Sequence, residues 1–461
     1  MYAESLLFQC NLNMPHNLDP ETVLDPELPS GDIELTVPEM LAFAMRLHRD
    51  HRLDAAQKCY QAVLEIDSNN ANAMQYLGVL YRQRGNSREG LELIRRSITI
   101  DSGVAAWHNN YGNVLIEEGQ FGDAAKAYRR CSELDGANLE VLNNLGVLYR
   151  ELDRPQDAEA SFRLAIARNP EFVDAHANLA SLCTSQRRFD EAFSHLADAL
   201  ALKPADVNTR RLLVIALGIA GRFEEGKKAC VEWVKAQPEN AKATHFLAAF
   251  GGAETPDRAS DQFVMEEFDG FANSFDAKLA ALGYRAPELV GEVVASLLGP
   301  PAKNKVILDA GCGTGLCAPF LHPFSNDLIG VDLSAKMLSR ALDRHLYDDL
   351  IQSELVAYMV ACEKVFDVVV SADTLCYFGK LTSAFSAVRR VLRPGGHWVF
   401  TVEAHTLEAD FKLQLHGRYS HSRAYVEVEL ANTGFDFVDV KPVELRFESG
   451  VPVNGWLVSA R

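Results

Sequence analysis

The chain has 461 residues, too many for one ordinary domain, and its 48% hydrophobic and 23% charged content is that of a folded globular protein rather than a disordered or fibrous one. A formal net charge of −18 argues against a generic nucleic-acid binder, which needs Lys and Arg to displace counterions from phosphates. No apolar run approaches the roughly 18 residues of a membrane span, and nine cysteines without a CxxC pair point to reduced thiols rather than a disulfide frame or a metal site.

Residues 1–36 carry seven acids, no Lys or Arg, and Pro15, Pro20, Pro26 and Pro29, the composition of a flexible acidic leader. There is no basic, apolar signal, so a cytoplasmic location is expected. From residue 37 a period of 34 residues sets in. The segment "VLNNLGVLYRELDRPQDAEASFRLAIARNP" places Leu145, Gly146, Tyr149, Ala158, Phe162, Ala165 and Pro170 at spacings that recur one step back (Tyr111, Gly112, Leu115, Ala124, Tyr128) and one step forward (Leu179, Ala180, Cys183, Ala192, Leu196). Six repeats begin near 37, 71, 105, 139, 173 and 207, with "AKATHFLAAF" at 241–250 as a capping helix. Small residues fall where two helices cross closely and large ones fill the gap between them.

These residues resemble the tetratricopeptide repeat family, which implies paired antiparallel helices stacked in a right-handed superhelix. The resemblance also implies that the first helix of each repeat lines a groove used to hold a peptide. Asn110, Asn144 and Asn178 recur at one position of that helix. An amide offers both donors and an acceptor, so the row suits an extended peptide backbone. Asparagine is equally a consensus residue of the repeat, and both readings stand.

"GGAETPDRAS", residues 251–260, has the composition of a linker. A helical stretch over 261–300 precedes strands expected at 305–309, 328–331, 350–353, 366–370, 397–402, 435–440 and 455–460. Their alternation with amphipathic helices predicts a doubly wound α/β domain over 301–461 with its ligand at the carboxyl ends of the strands. In "VILDAGCGTGLCAPFL" a strand ends at Asp309 and meets Gly311, Gly313 and Gly315, which let a ligand approach the backbone. Asp332 ends a second strand in "IGVDLSAKML".

Together these motifs resemble the class I S-adenosylmethionine-dependent methyltransferases, with "VRRVLRPGGHWVFTVE" as the late helix, turn and strand. The resemblance implies S-adenosylmethionine as cofactor, no metal, and a binding loop formed by Asp309, Gly311, Cys312, Gly313 and Gly315. Asp332 would hold the ribose, Leu333 and Met337 would border the adenine, Glu354 and Leu355 would meet its edge, and Asp373 would lie beside the site. "ALGYRAPEL", with Tyr284 and Arg285, "HGRYSHSRAYV" and "LRFESGVPVNGW" look like the predicted bacterial methyltransferases that carry tetratricopeptide repeats. Tyr284 and Arg285 are therefore candidate substrate contacts.

Candidate bases are Glu403, His405, His416 and His421, since histidine titrates near working pH. His421 is favoured because it shares "RYSH" with Arg418 and Tyr419, which could bind an anionic acceptor. A carboxylate acceptor would need no base and would make Arg418 the more important residue. The expected activity is methylation of a peptide or protein held in the repeat groove, without nucleic acid or membrane. The alternatives are a small-molecule methyltransferase whose repeats bind a partner, and a scaffold whose methyltransferase domain senses the cofactor or is inactive.

Overall fold

The computed structural model describes residues 35–461 except 271, 273, 274, 437 and 449. The expected acidic leader thus lies outside the described residues apart from Leu35 and Thr36. Two compact units emerge, one drawn from the chain up to Leu182 together with Ala197–Leu202, the other from Cys183–Leu196 and Lys203–Arg461.

The repeat helices run in the order α1 (Val37–Arg49), α2 (Leu53–Ile66), α3 (Ala71–Gln83), α4 (Ser87–Ile100), α5 (Ala105–Glu117), α6 (Phe121–Leu134), α7 (Leu139–Glu151), α8 (Pro155–Arg168), α9 (Val173–Ser185), α10 (Phe189–Leu202), α11 (Val207–Ile219), α12 (Phe223–Ala236) and α13 (Ala241–Ala249). The period sets the helix ends as well as the faces. Asn70, Asn138, Asp206 and Asn240 stand at multiples of 34 from one another, and each side chain accepts the backbone N–H three residues on. In the first unit the crossing inside each repeat is close because a large residue of the second helix presses on a small one of the first. A Cβ on Gly112 would lie 2.6 Å from the Tyr128 ring, and one on Gly146 2.5 Å from Phe162. Tyr60, Tyr128 and Phe162 are fully buried as a result.

The second unit carries α11 to α13, then α14 (Asp261–Asp269), α15 (Phe275–Ala281) and α16 (Ala286–Leu298), then the sheet. Its strands are β1 (Lys305–Ala310), β2 (Ser325–Asp332), β3 (Asp349–Gln352), β4 (Phe366–Ser371), β5 (Leu392–Ala404), β6 (Phe411–Leu413), β7 (Tyr419–His421), β8 (Val438–Glu448) and β9 (Val451–Ala460). The helices between them are α17 (Ala318–Leu321), α18 (Ala335–Leu342), α19 (Leu355–Ala361), α20 (Thr382–Val391) and α21 (Arg423–Asn432). The parallel order β3-β2-β1-β4-β5 switches direction between β1 and β4, and β9 runs antiparallel between β5 and β8. Ligands sit at such a switch point.

Three local features differ from what the sequence suggests. The short β6–β7 hairpin was not anticipated, because three-residue strands leave almost no periodic signal. The helix after the glycine loop has only four residues, and the N–H groups of Gly311, Cys312, Gly313 and Gly315 are already bonded within the protein, so the loop offers a ligand its bare backbone rather than a row of free donors. Residues 251–260 are docked rather than loose. Ala259 donates its N–H to Tyr377 O at 2.8 Å, Arg258 bridges Phe378, and Asp257 O accepts from the N–H groups of Gly379 and Lys380.

The compact units also part within the fifth repeat, not at 251–260. The reason is a shared core. Val214, Ile215, Trp233 and Phe246 from the repeats pack with Phe263, Tyr377 and Leu415. His245 of α13 stacks on Phe263 with ring centroids 3.9 Å apart, and its Nε2 meets Gly417 O at 2.7 Å.

Candidate active site

A cavity opens where β1, β2 and β4 end, and Gly311, Gly313, Asp332 and Asp373 all lie on its wall. Strand β1 delivers the chain into left-handed turns at Gly311 (φ 83°) and Gly313 (φ 55°). At Gly311 a Cβ would strike Thr374 at 2.3 Å, whereas one on Gly313 would enter open space. The loop is clamped by Asp332. Its Oδ2 accepts from Gly313 N and its Oδ1 from Ser334 N, both at 2.9 Å. Each carboxylate oxygen keeps a second lone pair for a ligand hydroxyl.

The other expected cofactor residues divide. Leu333, Glu354, Leu355 and Asp373 are on the cavity wall, while Asp309, Cys312, Gly315 and Met337 are not. Asp309 is fully buried, with Oδ2 accepting from Tyr347 Oη at 2.6 Å, so it braces the loop from behind. Burial raises its carboxyl to about 7 even though the Tyr347 bond favours ionisation. Met337 is fully buried in α18, its N–H held by the Ser334 hydroxyl. Glu354 caps α19 through Oε2, leaving Oε1 buried without a partner among the described residues. Asp373 Oδ1 is likewise unpartnered.

A wall of this kind, with a bare glycine loop and several unused carboxylate lone pairs, fits a cationic ligand that brings its own hydrogen-bond donors. S-adenosylmethionine has ribose hydroxyls, an ammonium group and a sulfonium, and the residues present suit each of them. Helices α14 and α15 close the near side. Ser334 donates to Asp269, and Thr314 to Asp276. Tyr284 is on the wall, but Arg285 is not; its side chain is about half exposed and lies 3.8 Å from Glu288.

Beside Asp373 the structure assembles a buried charge network from β5, β8 and the loop before β7. Arg446 Nη1 bonds Asp373 Oδ2 at 2.6 Å, Arg446 Nε bonds Glu448 Oε1 at 2.8 Å, and Arg446 Nη2 bonds Glu403. Arg418 reaches Glu403 and Glu448, each at 2.5 Å. Burial alone would raise Glu403, but Arg418, His416 and Arg446 outweigh it and bring it down to about 2. Burial and the Arg418 charge push His416 down to about 4.

These placements correct the catalytic expectations. His421 is fully buried and off the cavity wall, with Nε2 3.1 Å from Gly379 O and its ring stacked near Tyr425. Tyr419 is also fully buried, its hydroxyl donating to Pro256 O at 2.8 Å. Neither faces a methyl acceptor. Glu403 is a strongly ionised partner of two arginines, which disqualifies it as a base at neutral pH. Arg418 does line the cavity, but its guanidinium is already engaged by two carboxylates. Sequence reasoning missed Arg446 and Glu448, although an arginine within an alternating strand in "VELRFE" is a usable signal. It also missed Arg211. That residue stands where the preceding repeats carry Gln75, Asn109, Asn143 and Ala177, a break in the repeat pattern.

A pH prediction follows from His421. Burial lowers its pKa from 6.5 to about 4, so the folded chain binds fewer protons than the unfolded chain across that interval. Stability from this group is therefore complete above about pH 6.5 and is lost as the pH falls toward about 4. His421→Phe should show a shallower decline of melting temperature over this interval than the parent chain. An unchanged slope, measured by circular dichroism, would remove the histidine from the acid limb.

The fold and the site define a methyltransferase domain preceded by tetratricopeptide repeats. Comparison with known proteins agrees. The family described as "Methyltransferase domain" matches residues 308–400, and families described as "Tetratricopeptide repeat" match 59–92, 110–168 and 143–207. The chain is 28% identical over 142 residues to a malonyl-[acyl-carrier protein] O-methyltransferase of Buchnera aphidicola subsp. Baizongia pistaciae, covering 31% of this chain and 53% of that protein. It is 32% identical over 147 residues to Methyltransferase-like protein 27 of Homo sapiens, covering 32% and 60%. Among solved structures, Pseudomonas aeruginosa pilF matches with a TM-score of 0.40 and 18% identity, over 46% of this chain and 96% of that one. The chain spans little more than half the length of the two curated relatives named here. Methyltransferases of this family use S-adenosylmethionine. Among the described residues no helix is long and apolar enough to cross a membrane.

Proposed function

We propose that the chain is a class I S-adenosylmethionine-dependent methyltransferase that acts on a peptide or protein, with the repeats holding the substrate and the α/β domain transferring the methyl group. The observation that carries this reading is that the last repeat supplies part of the cavity wall. Arg211 of α11 lies on it, and Glu267 of α14, also on the wall, is 2.9 Å from Lys242 of α13. An array serving only as a tether would have no need to enter the site. A relative named for O-methylation of malonyl-[acyl-carrier protein] is compatible with an acceptor carried on a protein.

When bound, S-adenosylmethionine supplies an electrophilic methyl group on a positively charged sulfur. The chain's own residues do the rest. Asp332 and the glycine loop fix the ligand's position, α14 and α15 exclude water, and alignment of the two reactants can lower the barrier by about 7–11 kcal/mol. The Arg418–Arg446 network holds Asp373 at the mouth of β4, where an unpaired oxygen faces the site.

A second reading has its own support. Asn144 is only 4% exposed, and Asn178 Nδ2 already donates to Asn143 Oδ1 at 2.9 Å. An asparagine row engaged in this way favours repeats that bind a partner while a small molecule is methylated. The two readings separate in one experiment. The full chain is incubated with methyl-labelled S-adenosylmethionine and an extract split by ultrafiltration. Label in the macromolecular fraction, reduced in Asn110→Ala/Asn144→Ala/Asn178→Ala by a raised KM, supports the first; label confined to the filtrate establishes the second.

A further inference from the structure

Arg418, the residue best placed by sequence to grip an anionic acceptor, has spent its charge on Glu403 and Glu448. Another arginine on the same wall has not. Arg211 is 4% exposed, and its Nη2 is buried without a hydrogen-bond partner among the described residues. Its ion pair to Glu267 Oε1 is loose at 3.8 Å. Glu267 is claimed at 2.9 Å by Lys242, so two cations share one carboxylate at this end of the cavity. A buried guanidinium with a free N–H calls for a further anionic partner, and its planar fork matches a carboxylate.

We propose that Arg211 binds a carboxylate of the methyl acceptor and that this carboxylate is the group methylated, making the enzyme a carboxyl O-methyltransferase for acidic peptides. The inference rests on the peptide reading above and adds the acceptor's chemistry. The cavity wall suits it. His416 is neutral but weakly basic, and Glu403 and Glu448 are bound in ion pairs, so a nucleophile that is already ionised meets what the site offers. In the transfer the carboxylate oxygen forms a bond to the methyl carbon as the carbon–sulfur bond breaks. The electron pair stays on sulfur, and the products are a methyl ester and a neutral thioether. No proton moves.

The test uses the full chain, methyl-labelled S-adenosylmethionine, and two peptide pools: tetrapeptides rich in Asp and Glu, and the same tetrapeptides with every carboxylate amidated. The expected result is label on the acidic pool only, released by mild alkali as methanol. Arg211→Ala should raise the half-saturating concentration of acidic peptide at least tenfold, Arg211→Lys should recover part of the loss, and Glu267→Gln, which removes the competing carboxylate, should lower it. Calorimetry with S-adenosylhomocysteine identifies the source of the carboxylate. Affinity unchanged in Arg211→Ala assigns it to the acceptor and shows that the variant is folded, whereas a tenfold loss assigns it to the cofactor and overturns the proposal. Alkali-stable label or labelling of the amidated pool overturns it while leaving the peptide reading intact. Labelling of neither pool, with small molecules of an extract labelled instead, overturns both.

Discussion

Replacing Arg446 by Met is expected to cost about 3–5 kcal/mol of folding stability, the range for removing one member of a buried ion pair. Arg446 is 3% exposed and touches Asp373, Glu403 and Glu448. Without it Arg418 is left to face Glu403 and Glu448, and Asp373 loses its guanidinium partner. Methionine keeps most of the stem's volume, so the loss reports charge rather than a void. The variant should also respond differently to acid. Glu403, held at about 2, contributes stability above its ordinary value of 4.5 that disappears as the pH falls through that interval. With Arg446 gone this contribution shrinks, and the acid limb of the stability curve should flatten. Urea unfolding at pH 7 and pH 3 measures both effects. The exposed Arg285→Met serves as control, with a change within about 0.5 kcal/mol. A loss below 1 kcal/mol in Arg446→Met would mean that the network is not holding the end of β8 to the sheet.

The second large effect is expected on cofactor affinity. Asp332→Ala should weaken binding of both S-adenosylmethionine and its demethylated product by about two to four orders of magnitude. The figure comes from two hydrogen bonds to a charged acceptor, each worth about 1.5–3 kcal/mol. The same carboxylate anchors Gly313 N and Ser334 N, so the glycine loop loses its clamp in the same variant. Asp332→Asn keeps the shape and one acceptor and should fall between the two. Calorimetry decides, and equal affinity in all three chains would take the ribose role away from this residue.

Much of the site was legible because its signals are local. The glycines at 311 and 313 and the acid ending β2 sit at fixed offsets from strand ends, so the sequence alone places them at one edge of the sheet. The 34-residue period is read in the same way, since each repeat meets chiefly its neighbours and must carry its own small-against-large pairing, as at Gly146 and Phe162.

What the sequence could not supply is the direction in which adjacent residues point. "RYSH" reads as a cluster of Arg, Tyr and His. In an extended strand, however, successive side chains leave opposite faces, so Tyr419 and His421 turn together toward Pro256 and Gly379 while Arg418 turns to the cavity. Nor could it supply meetings between distant segments. Asp373, Glu403 and Arg446 come together only because β9 runs between β5 and β8 and brings the far end of the chain beside β5, within reach of the loop that follows β4. Arg211 is the clearest case. In sequence it interrupts a repeat pattern, and only the shared core of α11, α13 and α14 turns that interruption into a buried, loosely paired cation on the wall of the methyltransferase cavity.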